Sequence, residues 1–332
     1  MHNSKKVLPF VTAALLLGVT VVAFAFSYVV APGDSLWTVG QRFGVSVDEL
    51  KRANQLQGDQ IDAGQKLEVP EKPAPTQVSF AALKAKMQAY LKTQPATYKV
   101  YFQDLKTGQA FGIGENDPMT AASTTKVPTV LYLYTLAAQG KIDLNEKVAI
   151  QSGDYQDGAG ALQFFAQPGD RYSLQTLANL AITLSDNTAH RMLLRWLGKD
   201  SVIAFMKSLG AKTVYPNGAN TTTAADLAVY MRAVLSFKQK YPALGGRLVD
   251  DLEHTIWNAG LNGQTPGNVQ AAHKEGDVTG VSNDFGVVYG SRPYLLVVLS
   301  SGQANPDAGF QYIAHLSKLA YDYEEQLAKA GA

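Results

Sequence analysis

Ser123 stands three residues ahead of Lys126 in ASTTKVP, at the head of the apolar run VPTVLYLYTLAA. On a helix, positions i and i+3 share a face, so hydroxyl and amine would point the same way. Pro128 fits only in a first turn, because deeper in a helix its ring clashes with the carbonyl four residues back. Ser123 is therefore expected at a helix N-terminus, where unpaired N–H groups and the positive dipole end favour developing negative charge. A buried lysine gives up its proton readily and can serve as a base. The chemistry on offer is a serine nucleophile with a lysine base, and the plain alternative is a solvent-facing helix start. Two more stretches bear on that choice. Ser185-Asp186-Asn187 lies between two helix-like runs, where serine and aspartate also make good N-caps. His273-Lys274-Glu275-Gly276-Asp277 begins a strand-like region that ends in Asn283-Asp284-FGVVY.

The elements that would position these groups can be read from hydrophobic spacing. From residue 79 onward, a helix-like segment (Phe80 to Leu91) precedes two strand-like runs, TYKVYFQDL and QAFGIG. A mostly helical middle runs from Ser123 to about Phe237, with Leu174, Leu177, Ala181 and Leu184 marking one packed helix. The strand-like runs FGVVYG and PYLLVVLSS follow, then a helix from about Gly309 to Ala328. Strands at both ends with helices between predict an α/β (α+β) domain over 79–332, with one mainly antiparallel sheet and an inserted helical lobe.

Three shorter segments precede it. Lys5 and Lys6 lead an uncharged stretch, Val7 to Phe26, with Ala23-Phe24-Ala25 as a small-residue cleavage pattern. Residues 1–27 thus read as a secretory signal cut after Ala25, with an uncleaved anchor over 7–26 as the rival. Either way the rest is expected outside the cytoplasm. Residues 28–70 give strand, helix, helix, strand: Tyr28 to Val30, a first helix stopped by Gly44, a second around Val47, Leu50 and Ala53, and Lys66 to Val69. Residues 71–78, EKPAPTQV, read as a semi-stiff linker.

Residues 28–70 resemble the LysM module. They match its opening (Val30, Gly33-Asp34-Ser35-Leu36-Trp37), its middle (Val47, Leu50, Ala53-Asn54) and its close (Gly64-Gln65, Leu67, Val69-Pro70). The resemblance implies binding to N-acetylglucosamine chains of peptidoglycan through the two strand–helix loops. The letters Gly33-Asp34-Ser35-Leu36 also spell a lipase-like motif, but inside this longer match Ser35 is read as a helix cap.

S-x-x-K, then S-D-N, then K-x-G, in that order, resembles the class A β-lactamase and penicillin-binding protein superfamily across 79–332. The context LSDNTA and Thr221-Thr222-Thr223 agree. The resemblance implies roles. Ser123 is the acylating nucleophile, Lys126 its base, and Ser185 a proton relay to the leaving nitrogen. Asn187 holds the substrate amide, and Lys274 supplies positive charge. The N–H groups of Ser123 and Asp277 form the oxyanion hole, beside Gly276. Asp186 braces the loop. Tyr155 and the loop Gly158 to Gln163 are expected at the rim.

Two departures stand out. No glutamate lies between Asn187 and Thr221, where class A enzymes keep the one that activates the deacylating water; the only carboxylate there is Asp200, and the loop GAKTVYPNGANTTT is short. Glu275 replaces the usual threonine or serine, and in the site it would repel a substrate carboxylate unless it turns away or pairs with Lys274.

Composition excludes other chemistries. Nothing in the net charge of +1 calls for a nucleic-acid partner, which usually needs a strong basic patch. Zero cysteines remove disulfides, thiolate catalysis, cysteine–zinc sites and a lipid-modified cysteine anchor. G-x-S-x-G, H-E-x-x-H and the P-loop are missing. His190, His254, His273 and His315 are scattered and read as ordinary surface or core residues; no metal or other cofactor is called for. The expectation is an exported, wall-associated serine hydrolase acting on a β-lactam or on a peptidoglycan-type amide or ester, with slow β-lactam turnover. The alternative is a non-catalytic peptidoglycan-binding or sensing protein.

Overall fold

A computed structural model describes residues 25–43, 45–70 and 78–331. The expected leader up to residue 24, the helix stop at Gly44 and linker residues 71–77 lie outside the described residues. The chain divides into two compact units at residues 78 and 79.

In the first unit, β1 (Ala25–Val29) is followed by α1 (Leu36–Phe43), α2 (Val47–Ala53) and β2 (Lys66–Pro70), and β1 pairs antiparallel with β2. The strand starts at Ala25, three residues before the expected Tyr28. Phe26 and Tyr28 alternate onto one face, and both rings meet Phe43 edge-on at 5.1 Å, which extends the pairing. Ser35 caps α1 by accepting from the amide of Thr38 at 3.2 Å, as expected. Ser46 and Glu49 form a reciprocal capping box on α2. Asn54 ties helix to strand: its Nδ2 donates to the carbonyls of Leu50 and Glu68, and its Oδ1 accepts from Glu68 N. Val30, Leu36, Val39, Val45, Leu50, Leu67 and Val69 form the core. Each fully buried leucine there contributes about 1.5–3 kcal/mol.

The second unit begins with α3 (Ala81–Leu91), β3 (Thr97–Asp104), β4 (Ala110–Ile113) and the short β5 (Met119–Thr120). A 3₁₀ turn, Ala122–Thr125, runs into α4 (Lys126–Ala138). Next come β6 (Lys147–Ala149), α5 (Leu162–Phe165), β7 (Arg171–Ser173), α6 (Leu174–Thr183), α7 (Asn187–Leu197) and α8 (Lys199–Ser208). Then follow β8 (Thr221–Thr222), α9 (Ala224–Lys240), α10 (Pro242–Glu253), β9 (Ala271–Val278), β10 (Val281–Val288), β11 (Tyr294–Ser301) and α11 (Pro306–Lys329). One five-stranded antiparallel sheet has the order β4-β3-β11-β10-β9, drawn from both ends of the unit, with the helices from α4 to α10 inserted between.

Both faces of the sheet are covered, by α3 and α11 on one side and α9 and α10 on the other. That double cover explains why β10 is buried along its whole length despite Ser282, Asn283 and Asp284. Each of the three has partners: Ser282 donates to Pro306 O, Asn283 donates to Thr120 O and accepts from Ser300 N, and Asp284 accepts from Leu261 N. Helix α4 is apolar nearly all round and lies in the middle of the helical core, beside α6, α7, α8 and α9. Arg292, after β10, ion-pairs Asp104 at 2.6 Å and Glu324 at 2.8 Å, all three buried, and so locks α11 to the end of β3.

Candidate active site

The apolar run that buries α4 also buries its first residue. Lys126 is 2% exposed. Its Nζ lies 2.9 Å from Ser123 Oγ, 3.0 Å from Ser185 Oγ, 2.6 Å from Ser185 O and 2.7 Å from Asn187 Oδ1. An ammonium has three N–H donors and no lone pair. The two acceptor-only oxygens, Ser185 O and Asn187 Oδ1, can take the two N–H groups of a neutral Lys126, which leaves its lone pair to accept from the Ser123 hydroxyl. Burial first, and the charge of Lys274 second, push its pKa down to about 7. His190, on α7, packs its Nε2 3.1 Å from Thr129 Oγ1 one turn along α4. Burial, with Lys126 and Lys274 nearby, pushes its pKa down to about 3, so it adds no charge beside the amine.

Ser123 sits in the 3₁₀ turn just ahead of α4 rather than in the α-helix expected to start there. Ala122 takes a left-handed φ of 51° to enter that turn. The Thr124 amide donates back to Ala121 O at 3.3 Å, whereas the Ser123 amide, ahead of it, has no acceptor within the turn. Gly276 on β9 presses directly against them: a Cβ there would lie 2.8 Å from Ser123 N and 3.1 Å from Thr124 N. Only glycine allows β9 to come this close, which brings the backbone at Gly276-Asp277 beside the Ser123 amide.

Ser185 is also held left-handed, at φ 53°, a conformation that costs about 1–3 kcal/mol for a non-glycine residue. Asp186 supports it. It caps α7 by accepting from Ala189 N at 2.9 Å, and its other oxygen accepts from Ala161 N at 2.7 Å and Leu162 N at 2.9 Å. Asp186 thus has the bracing position expected of it. Asn187 N donates to Ala159 O, and its Nδ2 donates to Asp157 O at 2.8 Å.

Lys274 is fully buried in β9, and its ammonium donates to Glu275 O at 2.8 Å. Burial pulls its pKa down to about 8. The Glu275 carboxylate does not pair with it. Oε1 accepts from Gly260 N at 2.7 Å, in a buried group with His273 and Asp284. Burial, and then Asp284, push the pKa of Glu275 up to about 7. His273 bonds Asp284 through Nδ1 at 2.9 Å and Asn258 Oδ1 through Nε2 at 3.1 Å. Burial works against its cation, yet Asp284 beside it raises the pKa. The donor atoms of this trio are engaged with one another and with the 258–261 loop, so the group reads as a polar network rather than a metal site.

Ser123, Ser185, Asn187, Lys274, Glu275 and Asp277 line one cleft of about 810 Å³, and Lys126 lies buried behind it. Tyr155 is a correction: it is not among the lining residues. Its hydroxyl donates to Ala166 O at 2.8 Å and its ring packs on the helical core, leaving the rim to Gln156, Asp157, Gly158 and Ala159. Sequence reasoning missed Ile256, Trp257 and Val278, large exposed side chains on the opposite rim. A tryptophan just ahead of the turn-rich stretch NAGLNGQTPG was the signal available in the sequence. Asp200 lies exposed in the first turn of α8, outside the cleft lining. The short segment before β8 contributes Tyr215 and Asn217 in left-handed conformation and no carboxylate.

Comparison with known proteins gives a consistent picture. A family model described as the Beta-lactamase enzyme family matches residues 82–324, and the LysM domain model matches 28–70. The extended-spectrum β-lactamase PER-1 of Pseudomonas aeruginosa is 24% identical over 214 residues, covering 56% of this chain and 69% of PER-1. A probable endopeptidase p60 of Listeria welshimeri is 45% identical over 76 residues, which is 21% of this chain. The chain spans only 14% of the length of that relative. Among solved structures, a substituted PBP-A captured as an acyl-enzyme complex with penicillin G superposes with a TM-score of 0.70 at 28% identity, covering 76% of this chain and 99% of PBP-A.

Proposed function

The chain belongs to the β-lactamase enzyme family, and from that membership we propose that it is an exported serine hydrolase that forms an acyl-enzyme on Ser123 while its LysM module holds it on peptidoglycan. The observation that carries this reading is the amine of Lys126, within 3.0 Å of both the Ser123 and the Ser185 hydroxyls. Neutral Lys126 takes the Ser123 proton as Oγ bonds the substrate carbonyl carbon. The carbonyl oxygen gains the charge and is met by the amides of Ser123 and Asp277. Lys126 returns the proton through Ser185 to the leaving nitrogen or oxygen, the bond to the leaving group breaks, and the ester on Ser123 remains. Asn187 orients the substrate amide, and Lys274 keeps the cleft positive. Water must then cleave the ester, and with no glutamate between Asn187 and Thr221 that step is slow for a β-lactam.

The substrate is a β-lactam or a peptidoglycan-type amide or ester. The uncharged stretch from residue 7 serves as a secretory signal or an anchor, ending short of the expected residue 26 because Ala25 and Phe26 pair with Pro70 and Val69 in β1. Labelling by a small activated ester, mapped to Ser123 and lost in Ser123→Ala, tests the acyl-transfer step.

Glu275 favours a second reading, a peptidoglycan-binding or sensing protein whose hydrolase-like cleft no longer turns over. It would be supported if no acyl donor modifies Ser123 while the chain still binds peptidoglycan.

A further inference from the structure

Helix α7 carries more than Asn187. Arg191 and Arg195 follow it at four-residue steps, so all three share one face. With Lys199, at the start of α8, the two arginines line a second cavity of about 580 Å³. Gln156 borders both this cavity and the cleft of Ser123. Tyr215, left-handed at φ 45°, forms another wall, in the very segment that supplies no deacylating glutamate.

The cavity is electrically lopsided. Its one carboxylate, Asp154, is committed to Arg195 by two contacts of 2.8 Å. Lys199 lies 4.9 Å from the ring centre of Tyr215. Among the described residues, neither Arg191 nor Lys199 is ion-paired. Solvated cations on a convex helix face would be ordinary. Here they converge on a concavity that adjoins a reaction centre.

Helical rise places Arg191 about 6 Å and Arg195 about 12 Å beyond Asn187. An extended peptide advances about 3.3 Å per residue, so this span corresponds to about two to four residues. We propose that the cavity is a second substrate subsite that takes a carboxylate on the acyl side of the substrate, beyond the amide that Asn187 holds. The inference rests on the proposed acyl-transfer reading for the direction in which substrate lies. Phosphate of a wall polymer shares the anionic chemistry, and the test separates the two sources.

The full chain carrying Ser123→Ala is titrated with two short peptides that differ only in a side-chain carboxylate or its carboxamide, three residues on the acyl side. The carboxylate peptide should bind about fivefold more tightly, the scale of a solvent-exposed ion pair. The preference should shrink in high salt and vanish when Arg191→Gln and Lys199→Gln are added. Equal binding of the two peptides, or a preference that survives in the triple variant, overturns the proposal. So does an equal loss of both peptides, which reports a structural change. Inorganic phosphate competing where the carboxylate gives no preference would assign the cavity to phosphate and overturn the peptide reading. Labelling of wild-type Ser123 by a small neutral ester is read separately, so failure of acyl transfer is not mistaken for failure of the subsite.

Discussion

Acylation needs Lys126 neutral and Lys274 charged, and burial brings their pKa values close together, to about 7 and about 8. The acylation rate should rise with pH through about 7, as Lys126 loses its proton, and fall above about 8, as Lys274 loses its charge. A rate profile from pH 5 to 10 checks this; a flat profile would remove Lys126 as the base. Glu275 gives a second expectation at this scale. Its pKa of about 7 leaves it mainly ionised at pH 8, where it opposes a substrate carboxylate. Glu275→Thr should speed acylation by a carboxylate-bearing penicillin by about tenfold at pH 8, the effect of removing roughly 1.4 kcal/mol of like-charge repulsion. The gain should be smaller at pH 6, where wild-type Glu275 is mainly protonated. Equal rates for the two proteins at pH 8 would mean that Glu275 is screened from the substrate. The three motifs were legible in the sequence because together, in that order, they resemble a known superfamily; each alone also fitted a solvent-facing helix start or an N-cap. Tyr155 was misplaced because adjacency along a loop does not fix side-chain direction. The Glu275 partner was invisible because Gly260 comes from a loop with no spacing rule.

At the scale of elements, the site depends on two close approaches. Strand β9 reaches the turn that carries Ser123 only because position 276 has no Cβ. Gly276→Val should abolish Ser123 acylation while circular dichroism still reports a folded chain; normal acylation would show that the strand can retreat. The loop before α7 is fixed by Asp186, which satisfies three backbone amides. Asp186→Ala should lower stability by about 1–3 kcal/mol, the cost of a lost cap and stranded amides, and denaturant unfolding measures it. The sequence revealed most of these elements through apolar periodicity. It shortened β10, because Ser282-Asn283-Asp284 looks polar until their partners on neighbouring elements are known. It also started α11 at Gly309, although Asn305 as N-cap and Pro306 in the first turn mark the earlier start.

For the whole molecule, the sheet of the second unit is assembled from strands at both ends of its chain, and Arg292 fastens that closure. Removing it would leave Asp104 and Glu324 buried without their cation. Arg292→Met should cost about 3–5 kcal/mol, read as a lowered unfolding midpoint. The order of strands and helices was legible from the sequence, and so was the antiparallel sheet built from the two ends. The buried ion triad was not, since its members lie far apart along the chain. The chain carries a β-lactamase family domain and a LysM domain, and the central matter is whether Ser123 becomes acylated. The most direct measurement is intact mass of the full chain over time with penicillin G, beside Ser123→Ala. The expected result is one added penicillin on Ser123 that persists for many minutes and is absent from the variant. No adduct with penicillin or with a neutral ester, or the same adduct in Ser123→Ala, would contradict Ser123 as the nucleophile.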